Sequence, residues 1–207
     1  MERISSGDML PGQIERESFA TIARELGDRT FSADQEPIIK RVIHTTADFD
    51  YADNLYFSPE AVDSGREALQ RGVTVITDTQ MARAGINKKL AAKYGCEVLC
   101  YISDEEPARL ASKDSTTRAV AAVNRAAALF PDAIYVVGNA PTALLKICEL
   151  AKANILQPRL VIGVPVGFVN VVESKERLMD SGLACIVARG RKGGSNVAAA
   201  IGNALLY

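Results

Sequence analysis

From residue 73 onward, short runs of β-branched and aliphatic residues alternate with longer stretches rich in alanine and leucine. The short runs are 73–77, 97–102, 133–137, 159–163 and 184–188. Each is nearly continuous in hydrophobicity, the pattern of a strand buried on both faces. Between them, 79–94 predicts two short helices broken at Gly85, and the alanine-rich stretch 117–129 suits one helix. The stretch 141–153 opens with Pro141 in a first-turn position and carries Leu144, Leu145 and Cys148 at helical spacing. Helices over 170–181 and 195–206 complete the alternation. This rhythm predicts an α/β fold of three layers, a doubly wound and mainly parallel five-stranded sheet with helices on both faces.

The first 70 residues follow a different pattern, with apolar positions at helical spacing over 11–26, 32–46 and 59–70. Ser32 and Gln35 have the spacing of a capping box. Ser58 before Pro59 reads as an N-cap followed by a first-turn proline. No linker, repeat or low-complexity stretch interrupts the chain. One domain is therefore expected over 1–207, helical over 1–70 and alternating β/α over 71–207.

Composition narrows the functional classes. Hydrophobic residues at 48% suffice for one large core, and a net charge of −1 gives no support for a uniformly basic, nucleic-acid-binding surface. An anionic ligand would have to be held by local arginines and helix N-termini. The four cysteines, Cys96, Cys100, Cys148 and Cys185, include no pair at C-x-x-C spacing, and a single histidine is available to help ligate a metal. Cys100, Cys148 and Cys185 sit inside apolar runs and are expected as buried small hydrophobes, with no metal site and no disulfide in the chain. Met1 to Asp8 lacks an apolar signal region, and no run is long enough to span a bilayer. A cytoplasmic location, with no membrane partner, is the expectation.

In open parallel sheets, ligands bind beyond the carboxyl ends of the strands. The loops there begin at Asp78, Ser103, Gly138, Val164 and Arg189. Several combine Gly, Pro or Asn with a following helix, so they expose backbone N–H groups at a positive helix end. The loop 138–142 offers Asn139 and Thr142, and the loop 189–195 offers Arg191 and Ser195 together with Arg189 and Lys192. Together they read as a cradle for carboxylates or phosphates. Neither the P-loop spacing nor a dinucleotide-binding glycine fingerprint is present, so a nucleotide cofactor has no specific support.

The one histidine, His44, ends an apolar helical run, with Arg41 three residues before it on the same face. Imidazole is the side chain best matched to acid–base work near neutral pH. Arg41 beside it could anchor a ligand carboxylate. A surface or helix-end histidine without chemistry is the alternative reading.

Taken together, a set of motifs resembles one family along essentially the whole chain. They are Ile14-Glu15-Arg16-Glu17-Ser18-Phe19, Arg41-Val42-Ile43-His44, Thr77-Asp78-Thr79-Gln80-Met81 and Val137-Gly138-Asn139-Ala140-Pro141-Thr142-Ala143-Leu144. They continue with Gly163-Val164-Pro165-Val166-Gly167-Phe168-Val169, Glu173-Ser174-Lys175 and Arg189-Gly190-Arg191-Lys192-Gly193-Gly194-Ser195. In this order they resemble the precorrin-8X methylmutases, also called precorrin isomerases. The resemblance implies a homodimer with a doubly wound parallel sheet. It implies migration of a methyl group from C11 to C12 of a contracted tetrapyrrole in cobalamin biosynthesis. The substrate would be precorrin-8X or cobalt-precorrin-8, the product hydrogenobyrinate or cobyrinate, and no separate cofactor would be needed. His44 matches the family's catalytic histidine, Ser18 and Arg41 match substrate contacts, and Arg118 matches a further contact. A corrin carrier without catalysis, and a nucleotide- or S-adenosylmethionine-dependent enzyme on a similar sheet, are the rival readings.

Overall fold

The computed structural model describes residues 10–207, so the reading of the N-terminal octapeptide lies outside the described residues. The chain opens with α1 (Pro11–Leu26), α2 (Glu36–Thr46), α3 (Tyr51–Asn54), β1 (Leu55–Phe57) and α4 (Ala61–Gln70). It continues with β2 (Val75–Thr77), α5 (Gln80–Gly85), α6 (Lys88–Lys93), β3 (Val98–Leu99), α7 (Glu105–Lys113) and α8 (Arg118–Leu129). The last third is β4 (Ile134–Val137), α9 (Pro141–Lys152), β5 (Leu160–Gly163), α10 (Val171–Met179), β6 (Cys185–Ala188) and α11 (Ser195–Leu206).

The sheet has six strands in the order β1-β6-β5-β4-β2-β3. Strands β2 to β6 are parallel, as their apolar runs predict, and β4, β5 and β6 are buried along their full length. The expected count of five fails at β1. Three residues, Leu55 to Phe57, pair antiparallel with β6 and close that edge. So short a strand has no periodicity of its own and sits in a segment whose pattern is helical. The pairing also reassigns Ser58. Its N–H donates to Cys185 O and its Oγ accepts from Cys185 N, so it extends the β1–β6 ladder where a helix cap was expected. Helix α4 accordingly starts at Ala61, later than predicted. Ser32 does not close a capping box either: its backbone carbonyl accepts from Gln35 N and Glu36 N, and α2 begins at Glu36. Helix α7 was not anticipated. Five of its nine residues are charged or hydroxylic, and only Pro107 and Ala111 are buried.

Two apolar cores flank the sheet. One joins α1, α2, α4 and α11 to inward residues such as Ile162 and Ile186. The other joins α8, α9 and Leu178 of α10 to Tyr135, Val161 and Val187. Full burial of each such aliphatic side chain stabilises by about 1.5–3 kcal/mol. Helix α11 is small-faced, with Ala198 and Ala199 buried, and a Cβ on Gly85 would come within 2.8 Å of Ala199 Cβ. That close approach lets α5 pack on α11, against which α2, the helix that bears His44, also packs.

Candidate active site

Helix α2 buries Ile38, Ile39, Val42 and Ile43 and leaves Arg41 and His44 on its outer face. Helix α1 lies across that face, anchored by buried Ile22 and Leu26. On α1, Glu15, Ser18 and Phe19 are spaced three and four residues apart, so one stripe meets α2. Ser18 Oγ and His44 Nδ1 share a hydrogen bond of 2.8 Å. The Phe19 ring stacks on the imidazole, with centroids 5.0 Å apart and planes inclined by 16°. Arg41 Nη1 donates to Glu15 Oε1 at 2.7 Å, while its guanidinium lies 4.8 Å from the Phe19 centroid and 5.3 Å from that of Tyr207. Tyr207, Arg41, Phe19 and His44 thus form one continuous stack.

The stack separates two open hollows. One, of about 600 Å³, is lined by Ile14, Ser18, Ile22, His44 and Phe49. The other, of about 540 Å³, is lined by Phe19, Lys40, Arg41, Arg66 and Tyr207. Both fall in the size range of sites for sizeable small molecules. With Nδ1 bonded to Ser18, Nε2 is the imidazole nitrogen left for a ligand. As imidazolium, Nδ1–H donates to Ser18 Oγ and Nε2–H can be delivered. As neutral imidazole with Nδ1–H still on Ser18, Nε2 can accept a proton.

The loops at the carboxyl edge form a second group. Thr79 Oγ1 and Ser195 Oγ share a 2.8 Å hydrogen bond, and Thr79 also caps α5 by accepting from Ala82 N. Ser195 is buried. Asp78 lies at the switch between β2 and β4, where the strand order reverses. Its Oδ1 accepts from Gly138 N at 2.9 Å, and its Oδ2 accepts from Asn139 N and Ala140 N, both at 2.8 Å. Burial pushes the Asp78 carboxyl above the ordinary carboxylate range, outweighing the three N–H bonds that pull it down. A Cβ on Gly138 would lie 2.7 Å from Ser195 Cα, so only glycine lets the β4 loop and the start of α11 touch. Asn139 and Arg118 are exposed, and Thr142 Oγ1 shares a 3.1 Å hydrogen bond with Thr117 Oγ1.

A third group is the loop after β6. Arg191 lies over the exposed Phe168 ring, 5.4 Å from its centroid, and Arg189 lies over Tyr56 at 5.1 Å. Lys192, grouped with these arginines from sequence, turns away to Asp48 and Asp50, at 2.7 and 2.6 Å. The pair tethers the end of α2, and so His44, to this loop, and it holds the Asp48 carboxyl below its usual range.

The structure therefore brings Ser18, Arg41 and His44 into one cluster and places Arg191 in the loop tethered to it. Asn139, Thr142 and Arg118 stand on the α8–α9 side of the sheet. Among the described residues, no hydrogen bond or ion pair joins them to His44. Sequence reasoning missed Glu15, Phe19 and Tyr207. The first two carried a signal in their spacing around Ser18; Tyr207 carried none. Cys100, Cys148 and Cys185 are buried, as their apolar runs suggested, and Cys96 is buried as well.

Comparison with known proteins gives the family of the chain. The profile of the family described as precorrin-8X methylmutase matches residues 13–207. Cobalt-precorrin-8 methylmutase of Salmonella typhimurium is 48% identical over 203 residues, covering 95% of each chain. Precorrin-8X methylmutase of Pseudomonas aeruginosa is 39% identical over 194 residues, covering 93% of each. The solved structure of precorrin-8x methyl mutase from Thermus thermophilus superposes with a TM-score of 0.86 at 40% identity, covering 93% of this chain and 95% of that one. The chain belongs to the precorrin-8X methylmutase family of isomerases.

Proposed function

We propose that this isomerase of cobalamin biosynthesis moves a methyl group from C11 to C12 of precorrin-8X or cobalt-precorrin-8, with His44 as the acid–base group. The C11–CH₃ bond breaks as the C12–CH₃ bond forms within one molecule, so substrate and product are isomers and no group is left to accept or supply. What remains for the protein is to orient the ring, exclude water and move a proton. The observation that supports His44 in this role is its held orientation. Ser18 fixes Nδ1, Phe19 fixes the ring plane, and Nε2 is left toward the ligand side. A proton supplied or taken by a positioned side chain accelerates by about 10²–10⁴-fold.

The acetate and propionate arms need scattered donors over a wide surface. Ser18, Arg41, Arg118, Asn139, Thr142, Arg191 and Ser195 are the proposed contacts. Arg41, flanked by aromatic rings, suits a carboxylate beside the methyl-bearing edge. Assembly as a homodimer and action in the cytoplasm belong to the same reading; light scattering on the 22.2 kDa chain measures the former. No helix of the described residues is long and apolar enough to cross a membrane.

Single-turnover absorbance tests the assignment, because methyl migration alters the conjugated system. Wild-type protein should convert bound precorrin-8X to hydrogenobyrinate. His44→Ala should slow conversion by at least about 10²-fold while binding hydrogenobyrinate with near wild-type affinity. Turnover of His44→Ala within tenfold of wild type would remove His44 from the chemistry. Release of unchanged ligand by the wild type would leave a corrin carrier.

A further inference from the structure

Helix α10 buries a lysine. Lys175 is only 1% exposed, among the largest fully buried side chains of the described residues, and no carboxylate bonds its ammonium. Its Nζ instead donates to Gly190 O at 2.9 Å and to Lys192 O at 2.7 Å. A buried ammonium without a counter-ion is costly, and an apolar side chain of similar volume would fill the space at less cost. The charge therefore answers a need other than packing.

That need is visible in the loop it holds. The carbonyls two residues apart, Gly190 and Lys192, both turn inward to Lys175. The carbonyl between them, that of Arg191, turns the other way and accepts from Gly167 N at 3.3 Å. Gly190, Gly193 and Gly194 all have positive φ, and Gly194 N donates to Val164 O at 2.9 Å. A chain bent at three glycines has little stiffness of its own. Its shape comes from the ammonium beneath it and the β5 loop beside it, and in that shape Arg191 stays exposed over Phe168.

We propose that Lys175 is a positioning residue for the loop 189–194, a built-in cation that turns two carbonyls inward so that Arg191 is presented to a carboxylate arm of the macrocycle. This rests on the reading of the loop as a ligand contact. The buried positive charge also raises the potential felt by an anion above it. Glu173, Glu176 and Arg177 share its helix, Arg189, Arg191 and Lys192 its loop, and Asp48 and Asp50 answer Lys192. None of them bonds Nζ, and burial lowers the lysine's pKa to about 8.

The test uses Lys175→Met and Lys175→Ala in the full chain. Both should raise the Kd for hydrogenobyrinate and the KM for precorrin-8X about tenfold or more. The kcat should stay within about threefold, because the acid–base group is untouched. Lys175→Met should melt at or above the wild-type temperature, since it removes an unpaired buried charge. Amide exchange over 189–194 should speed up in Lys175→Ala. Propylammonium, which replaces the deleted atoms, should restore slow exchange and affinity, whereas 1-propanol should not. Wild-type affinity and slow loop exchange in Lys175→Met would overturn the proposal. So would rescue by propanol as good as by propylammonium, or failure of both variants to fold, which would make the lysine a general structural element. Loop exchange is read without the macrocycle. If the wild type neither binds nor converts it, the functional reading falls while the exchange data still decide the role of Lys175.

Discussion

Replacing Asp78 by alanine tests whether the switch point of the sheet is welded shut by one carboxylate. The substitution strands three N–H groups. Gly138 N is buried, while Asn139 N and Ala140 N lie where water can partly reach them. An unsatisfied buried donor costs about 1–3 kcal/mol and a bond exchanged for water about 1 kcal/mol, which sums to about 4 kcal/mol. Relief of carboxylate burial returns part of this, leaving about 3 kcal/mol at neutral pH. For a chain of this length that lowers Tm by about 6–12 °C. The pH dependence has a definite sign. Burial raises the folded-state pKa of Asp78 above its unfolded value, so the native chain holds that proton more tightly. Its contribution is full below the unfolded pKa and declines as pH rises through the folded pKa. The stability gap between wild type and Asp78→Ala should therefore be largest in acid and shrink toward neutral pH. Urea unfolding at a series of pH values measures it. A variant as stable as wild type throughout, or a gap that grows with pH, would refute the weld.

Two further substitutions probe the ligand surface. Arg41→Ala should weaken hydrogenobyrinate binding about tenfold with little change in Tm, and Glu15→Gln should tighten it a few-fold, because Glu15 competes for the guanidinium; unchanged affinity in both would end the carboxylate role of Arg41. Gly193→Ala should lose about tenfold or more in ring affinity, read by absorbance titration. A Cβ there would lie 2.1 Å from Val164 O at a φ of 155°, so the whole loop has to move; wild-type affinity would show that the loop does not touch the ring.

Much of this fold was written in the chain's periodicity. The runs that became β2, β4, β5 and β6 are buried on both faces, so each is apolar throughout and stands out against the flanking helices. What stayed hidden lacks a local signal. Leu55 to Phe57 become a strand only because β6 offers an open edge. The stripe Glu15, Ser18 and Phe19 acquires meaning only when α1 is laid on α2, and Tyr207 joins Arg41 from the far end of the chain. Lys175 reads as an ordinary helical lysine until the loop two elements later closes over it. The motif Arg189 to Ser195 suggested an anion cradle, yet identity alone could not sort its three cations, which take three different fates: Arg189 on Tyr56, Arg191 on Phe168 and Lys192 on two aspartates.

Those fates bear on how a chain with a net charge of −1 would receive the polycarboxylate ligand proposed for it. Strong unpaired cations on its surface would also attract nucleic acid and other polyanions. Here Arg41 is held by Glu15, half exposed, and Lys192 by Asp48 and Asp50. Such exposed pairs contribute only about 0–1 kcal/mol, so a macrocycle carboxylate can displace one at small cost. The internal acid holds the guanidinium between Phe19 and Tyr207; if Arg41 is the proposed carboxylate contact, its side-chain ordering is largely complete before binding. Discrimination then comes from geometry. On that reading a ligand has to present carboxylates at the spacing of several pre-set cations at once, and an anion meeting Arg41 alone merely exchanges with an acid already there.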